Sequence, residues 1–172
     1  MFNKKWLTLG IVSSFTLSLD QILKVLIHTQ FKLHESIIVI PSFFNITYVR
    51  NYGAAFGILS STSEIFRKIF FLSIPPLACV LLLALIYQFK TNQKKEILAC
   101  SFIFAGALGN FIDRWQYGYV VDFIDFHLDH KWNWPAFNIA DVAIVAGVLY
   151  LLIGYYKLEK IEKNKVVLTE QE

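Results

Sequence analysis

The sequence is poor in cysteine, in methionine and in charged residues. Its two cysteines, Cys79 and Cys100, lie inside apolar runs, with no spacing that suits a disulfide framework or a metal site. We therefore expect both to be packing residues. Charged residues make up 17% of the chain, whereas soluble domains usually have about 25%. This low share of charge argues against an ordinary soluble domain.

The sequence also lacks the motifs of several hydrolase classes. It has no Ser-x-x-Lys pair, no nucleophile elbow and no His-Glu-x-x-His helix, so serine and zinc chemistry have little support. The stretch from His127 to His130 has loose metal-ligand spacing, but no further ligands converge on it. We expect no metal, no cofactor and no nucleic-acid partner, and the net charge of +3 is modest. The surrounding stretch, His127–Trp134, has no predicted role.

Apolar residues are what the chain has in excess. They make up 56% of the sequence, and its mean hydropathy is +0.51. Four apolar runs stand out, and the second carries no charge over a length that spans roughly 30 Å of hydrocarbon. These runs predict an α-helical membrane protein of one domain, residues 1–172, with four transmembrane helices at about 6–27, 69–89, 97–112 and 139–156.

The first apolar run has a second interpretation. Lys4 and Lys5, the apolar run and the small-residue stretch Thr16-Leu17-Ser18 also fit a cleaved signal peptide. Apolar residues resume after Asp20, however, and a cleavage boundary does not require them. We therefore prefer a retained membrane helix.

The distribution of lysine predicts the orientation in the membrane. Lysines gather before the first run, between the second and third, and after the fourth, which places all three groups on one side. Positive charge is retained on the cytoplasmic side, so both termini are expected in the cytoplasm. Two longer loops, 28–68 and 113–138, are then outside. In the first, β-branched and aromatic residues at 37–40 and 43–49 predict two short strands.

Two carboxylates stand where the chain enters or leaves lipid. Asp122 precedes Phe123 in the second outer loop, and Asp141 lies near the start of the fourth apolar run. Ionisable groups at membrane depth are costly and usually functional, so these two could serve as the acid and base that activate a water molecule. Asn138 and Asp141 also fit a plain helix cap, and Asp125 and Asp129 are alternative acids that composition does not separate from Asp122.

Two further pairs lie four residues apart on predicted helices. Asp20 and Lys24 share a helix face and are expected to form a structural ion pair, with a role in holding the substrate main chain as the alternative. Asn110 and Arg114 also share a face. Arg114 can mark the membrane interface or, with Asn110, stabilise a carboxylate or an oxyanion.

Five motifs resemble those of the bacterial lipoprotein signal peptidases (signal peptidase II), in the same order and over nearly the whole chain. One departure is Ala105, where the family often has glycine, and we expect it to affect packing only. The matching segments are Asp20-Gln21-Ile22-Leu23-Lys24, Asn51-Tyr52-Gly53-Ala54-Ala55-Phe56, Gly106–Arg114, Val121-Asp122-Phe123 and Phe137-Asn138-Ile139-Ala140-Asp141.

This resemblance implies an aspartic endopeptidase of the bacterial inner membrane, with four membrane helices and a small extracytoplasmic β-cradle. Such an enzyme removes the signal peptide of prolipoproteins by cutting before a diacylglyceryl-modified cysteine, near the outer face of the membrane. Asp122 and Asp141 are then the catalytic pair. The residues expected to line or support the site are Asn51, Gly53, Asn110, Arg114, Asn138, Asp20 and Lys24. Membrane lipid is an expected partner, and we expect a monomer.

Two other functions fit parts of the pattern. A small ion or proton transporter could use Asp20, Lys24, Asp141 and Arg114 as a relay. The charges cluster toward the outer ends of the runs, which disfavours a path through the bilayer. A non-enzymatic assembly factor would need the same aspartates for partner binding only.

Overall fold

Four long helices and one antiparallel sheet make up the described part of the protein. The structure is a computed structural model that describes residues 3–53, 59, 61–128 and 132–169, with side chains for all of these except 132–133 and 157–169. The helices are α1 (Lys4–Gln30), α2 (Glu64–Gln88), α3 (Lys94–Tyr117) and α4 (Ile139–Thr169). The strands are β1 (Ser36–Ile40), β2 (Phe44–Asn51), β3 (Val120–Leu128) and β4 (Trp132–Asn133).

All four helices are long and apolar enough to cross a membrane, as the sequence predicted. Each helix begins at or before its predicted span. The reason is that the polar residues before an apolar run can also be helical, as far back as the residue that caps the helix. The Asn3 side chain accepts a hydrogen bond from the Lys5 amide at the start of α1, and Ser63 does the same for Phe66 in α2. Gly118, with a φ of 79°, ends α3 in the left-handed conformation that glycine adopts without strain.

Helix α3 is the centre of the bundle. It packs against α1, α2 and α4, and half of its most apolar 18-residue window is buried, against 17–28% in the other three helices. Gly106 allows the closest approach, because a Cβ atom there would overlap the Ala140 carbonyl of α4. The outward faces of the other helices carry large exposed apolar side chains, among them Phe15, Leu81 and Leu152. Such faces suit contact with lipid.

The sheet has the strand order β1-β2-β3-β4, with antiparallel neighbours. The first two strands confirm the prediction for residues 37–40 and 43–49. The third and fourth were not predicted, since residues 113–138 were interpreted only as an outer loop. Ile27 at the end of α1 packs against Tyr48 and Val121, which fixes the sheet at the ends of the helices.

The segment before α4 returns along β3. The Phe137 carbonyl accepts hydrogen bonds from the Phe123 and Ile124 amides, and the Phe137 amide donates to the Ile124 carbonyl at 3.0 Å. This pairing brings the residue after Phe137, which is Asn138, beside the start of β3. This contact joins β3, which carries Asp122, to the start of α4, which carries Asp141.

Candidate active site

Asp122 lies at the buried start of β3. Two anchors hold this part of the strand: the Val121 amide donates to the Asp113 carboxylate of α3 at 3.0 Å, and Val120 pairs with Asn51 of β2. The Asp122 side chain is 2% exposed and accepts hydrogen bonds on both oxygens. Asn51 Nδ2 donates to Oδ2 at 2.9 Å, and Asn138 Nδ2 donates to Oδ1 at 2.7 Å.

Asp141 lies in the first turn of α4, where Asn138 forms the predicted cap. The Asp141 amide donates to Asn138 Oδ1 at 3.0 Å, and the Asn138 amide donates to Asp141 Oδ2 at 3.3 Å. Asp141 Oδ1 accepts a further hydrogen bond from Asn110 Nδ2 at 2.8 Å. The cap therefore marks the start of α4 and also fixes the direction of the Asp141 carboxylate.

Asn138 connects the two carboxylates. Its side-chain amide donates to Asp122, and its backbone amide donates to Asp141. The two acids therefore both contact one residue, and the charge of Asp141 is near enough to act on Asp122. Such an arrangement is compatible with two carboxyl groups that act on one water molecule.

The orientation of each amide side chain follows from what its oxygen accepts. Asn51 Oδ1 accepts from the Gly53 amide at 2.9 Å, and Asn110 Oδ1 accepts from Lys24 Nζ at 3.0 Å. Since each oxygen is occupied by a donor, each NH2 group is left to point at a carboxylate. Three asparagines, Asn51, Asn110 and Asn138, thus present donors to the two acids.

Lys24 lies at the centre of a buried charge cluster beneath the site. Its ammonium is 2.9 Å from Asp20 and 3.1 Å from Asp113, and all three side chains are at most 1% exposed. The predicted Asp20–Lys24 ion pair is confirmed, with Asp113 as a second partner. Asp20 Oδ1 also accepts from the Ala140 amide at 2.8 Å, so the cluster joins α1, α3 and α4.

Arg114 contacts backbone carbonyls. Nη2 donates to the Gly53 carbonyl at 2.7 Å and Nη1 donates to the Asn110 carbonyl at 3.3 Å, while the guanidinium lies 4.4 Å from the centre of the Phe71 ring. Gly53 is therefore held between Arg114 and Asn51. Through Gly53, Arg114 of α3 holds the end of β2 in place. It thereby also holds Asn51, which donates a hydrogen bond to Asp122.

The environment of Asp122 favours its protonated form. Burial, and to a smaller extent the nearby charge of Asp141, raises the pKa of Asp122 from 3.8 to about 7. The hydrogen bonds from Asn51 and Asn138 oppose this rise. A carboxyl group that retains its proton near neutrality can donate a hydrogen bond, and the acid beside it can accept a proton. Together they can supply both parts of general acid–base chemistry.

The structure brings every predicted site residue into this one network. Asp125 lies on the same strand as Asp122, is 25% exposed and accepts from Asn45 at 3.4 Å. Asp129 and His130 lie outside the described residues. Sequence reasoning assigned no role to Gln21, whose amide donates to Asp20, Asp113 and the Gly109 carbonyl. Its place between Asp20 and Lys24 on the helix was the available signal.

An open cavity of about 530 Å³ reaches Asp122. Its described lining includes Asn51 and Tyr52 of the β2 end, Pro135 and Ala136 before α4, and Arg67 in the first turn of α2. All of these lie at or beyond helix ends. The arrangement defines a class of protein: an integral membrane enzyme with paired carboxyl groups at one end of its helical bundle.

Comparisons with known proteins agree with this class. Residues 12–157 match the family model of signal peptidase (SPase) II. The chain is 45% identical over 151 residues to the lipoprotein signal peptidase of Desulforapulum autotrophicum, covering 87% of this chain and 91% of the relative. It is 42% identical over 160 residues to that of Haemophilus ducreyi, covering 93% and 95%.

Solved structures show the same fold. A bacterial membrane enzyme determined by the in meso method at 2.3 Å resolution superposes with a TM-score of 0.78 at 40% identity, covering 87% of this chain and 88% of the other. The chain belongs to the signal peptidase II family.

Proposed function

We propose that Asp122 and Asp141 are the catalytic pair of this signal peptidase. Membership of the family makes the chain a peptidase that removes signal peptides from prolipoproteins. The observation that supports these two residues is their shared neighbour: Asn138 donates hydrogen bonds to both carboxyl groups. Asn51, Gly53, Asn110, Arg114, Asp20 and Lys24 hold this pair in place.

In this mechanism the two acids share one proton. Asp122 holds it, as its raised pKa favours, and donates a hydrogen bond to the scissile carbonyl. Asp141 takes a proton from a water molecule, whose oxygen adds to the carbonyl carbon while the Asp122 proton passes to the carbonyl oxygen, and a gem-diol results. The gem-diol then collapses: the C–N bond breaks, Asp141 gives its proton to the leaving amine, and Asp122 recovers a proton from one hydroxyl of the diol. No covalent intermediate forms with the enzyme.

The substrate is a prolipoprotein whose cysteine carries a diacylglyceryl group, and the bond before that cysteine is cut. The lipid keeps this bond near the membrane surface, at the depth where helices end and the carboxyl pair lies. We infer that the single domain, residues 1–172, lies in the bacterial inner membrane as a monomer. Both termini face the cytoplasm and the sheet faces outward.

A cleavage assay with purified protein tests the function. A lipid-modified precursor is expected to lose its signal peptide, detected by mass, whereas the unmodified precursor is cut slowly or not at all. A chelator should leave the rate unchanged. Asp125→Asn serves as a control on the same strand and should retain the activity that Asp141→Asn loses. Equal rates in these two variants would contradict the assignment.

A further inference from the structure

The cavity beside Asp122 carries positive charge from two different elements. Arg50 of β2 and Arg67 of α2 line it, and Asp122 is the one acid among its described lining residues. Asp122 is also the residue proposed to hold the shared proton, which leaves its charge largely cancelled. The space next to the cleaved bond is therefore lined mainly by cationic and apolar groups.

Arg50 is held firmly in this position. Its Nε donates to the Tyr48 hydroxyl at 2.9 Å, and its guanidinium lies 4.7 Å from the centre of the Tyr119 ring and 5.4 Å from that of Tyr48. His28 Nδ1 lies 2.7 Å from the same Tyr48 hydroxyl, which fixes that group in turn. A cation ordered before the ligand arrives loses little entropy on binding.

Arg67 lines the same cavity from a second element of the fold. It lies in the first turn of α2, and its Nη1 donates to the Thr62 carbonyl just before that helix. The neighbouring Lys68 is exposed and is not among the cavity-lining residues. The two basic residues are adjacent in sequence, yet only one of them lines the cavity.

The path of the substrate indicates what fills this space. The signal peptide and the lipid chains remain in the bilayer, whereas the mature chain leaves toward water. We propose that this cavity is a subsite for the first residues of the mature chain, and that Arg50 and Arg67 select acidic side chains there over basic ones. The guanidinium fork suits a carboxylate, and a lysine would be repelled. This subsite rests on the proposed function.

A set of lipidated precursors tests it. They differ only at the second and third residues of the mature chain, which are Asp, Asn or Lys. For wild-type protein, kcat/KM is expected to be roughly three- to tenfold higher with Asp than with Lys, a size typical of one or two partly exposed charge pairs. Added salt should reduce this ratio. Asn should give an intermediate value.

Substitutions of Arg50, Arg67 and Lys68 show which residues cause the preference for Asp over Lys. The ratio should approach one in the double variant Arg50→Gln/Arg67→Gln, shrink partly in each single variant, and persist in Arg50→Lys and Lys68→Gln. Because each ratio is taken within one preparation, it does not depend on the fraction of folded enzyme. An unchanged ratio in the double variant, or an equal loss in Lys68→Gln, would overturn the subsite. If wild-type protein cuts none of the precursors, the proposed function fails and the subsite with it.

Discussion

At the scale of single residues, three asparagines control the two acids. Each amide oxygen is occupied by a donor, and each NH2 group therefore faces a carboxylate. The buried Lys24 extends this control from beneath the site, since it determines which end of Asn110 meets Asp141. These three asparagines lie on β2, on α3 and just before α4, and noncovalent contacts alone orient them.

The pH dependence of cleavage follows from Asp122. Burial and the charge of Asp141 raise the pKa of Asp122 to about 7, so the pair holds its shared proton below that pH and loses it above. The single-turnover rate is therefore expected to fall as pH rises through about 7. A rate that keeps rising from pH 7 to pH 9 would contradict this role for Asp122.

The substitution Asn51→Ala should change the pH at which the cleavage rate declines. The Asn51 hydrogen bond favours the ionised form of Asp122, so its removal raises the pKa of Asp122 and shifts the decline to higher pH. We also expect a rate loss of roughly 10- to 100-fold, as for other residues that orient reactive groups. Asn45→Ala is a matched control, because Asn45 lies on the same strand and donates to Asp125. A shift of similar size in both variants would show that the effect comes from the strand and not from Asp122.

Sequence reasoning reached only part of this network. The four-residue spacing was enough to predict the Asp20–Lys24 pair, and the cap position of Asn138 was enough to place Asp141 in the first turn of α4. Choosing Asp122 over Asp125 required the family resemblance. Asp122, which is 2% exposed against 25% for Asp125, is the acid that contacts Asn138 in the segment before α4. That contact depends on the tertiary fold and leaves no local pattern.

At the scale of elements, the close packing of α3 on α4 positions Asn110 beside Asp141. Gly106→Ala would place a Cβ atom against the Ala140 carbonyl, a backbone atom that cannot move alone. We expect a loss of about 1–3 kcal/mol in stability and a lower cleavage rate, because the helices must separate. Thermal unfolding in detergent measures the first effect.

Gly10→Ala provides the comparison for this substitution. Gly10 also lies inside a helix, but nothing lies within 4 Å of an added Cβ atom there. Alanine is the better helix former, so the variant should be as stable as the natural protein or slightly more stable. Equal destabilisation by Gly10→Ala and Gly106→Ala would contradict the proposed packing constraint.

The sequence of strand β3 shows why this strand was not predicted. Its sequence, Val120 to Leu128, is rich in β-branched and aromatic residues, yet two aspartates made it resemble a solvated loop. Strands β1 and β2 contain no such acids and were predicted within one or two residues. The acid in β3 is tolerated inside because Asn51 and Asn138 satisfy both of its oxygens.

At the scale of the whole molecule, the proposed orientation places the sheet outside and the α2–α3 link in the cytoplasm. Ser36 of β1 and Asn92 of that link are both exposed. In a background with Cys79→Ala and Cys100→Ala, a membrane-impermeant maleimide should label Ser36→Cys in intact spheroplasts. Asn92→Cys should react only after permeabilisation. The reverse pattern would contradict the orientation, and with it an active site at the outer face.

The central claim is that two carboxyl groups act as one unit on one water molecule. Single-turnover cleavage of a lipidated precursor by Asp122→Asn, Asp141→Asn and the double variant tests it most directly. Each single variant should lose roughly 10²- to 10⁴-fold in rate, and the double variant should be no slower than the slower single one. Wild-type rates in either single variant, or losses that multiply in the double variant, would contradict it.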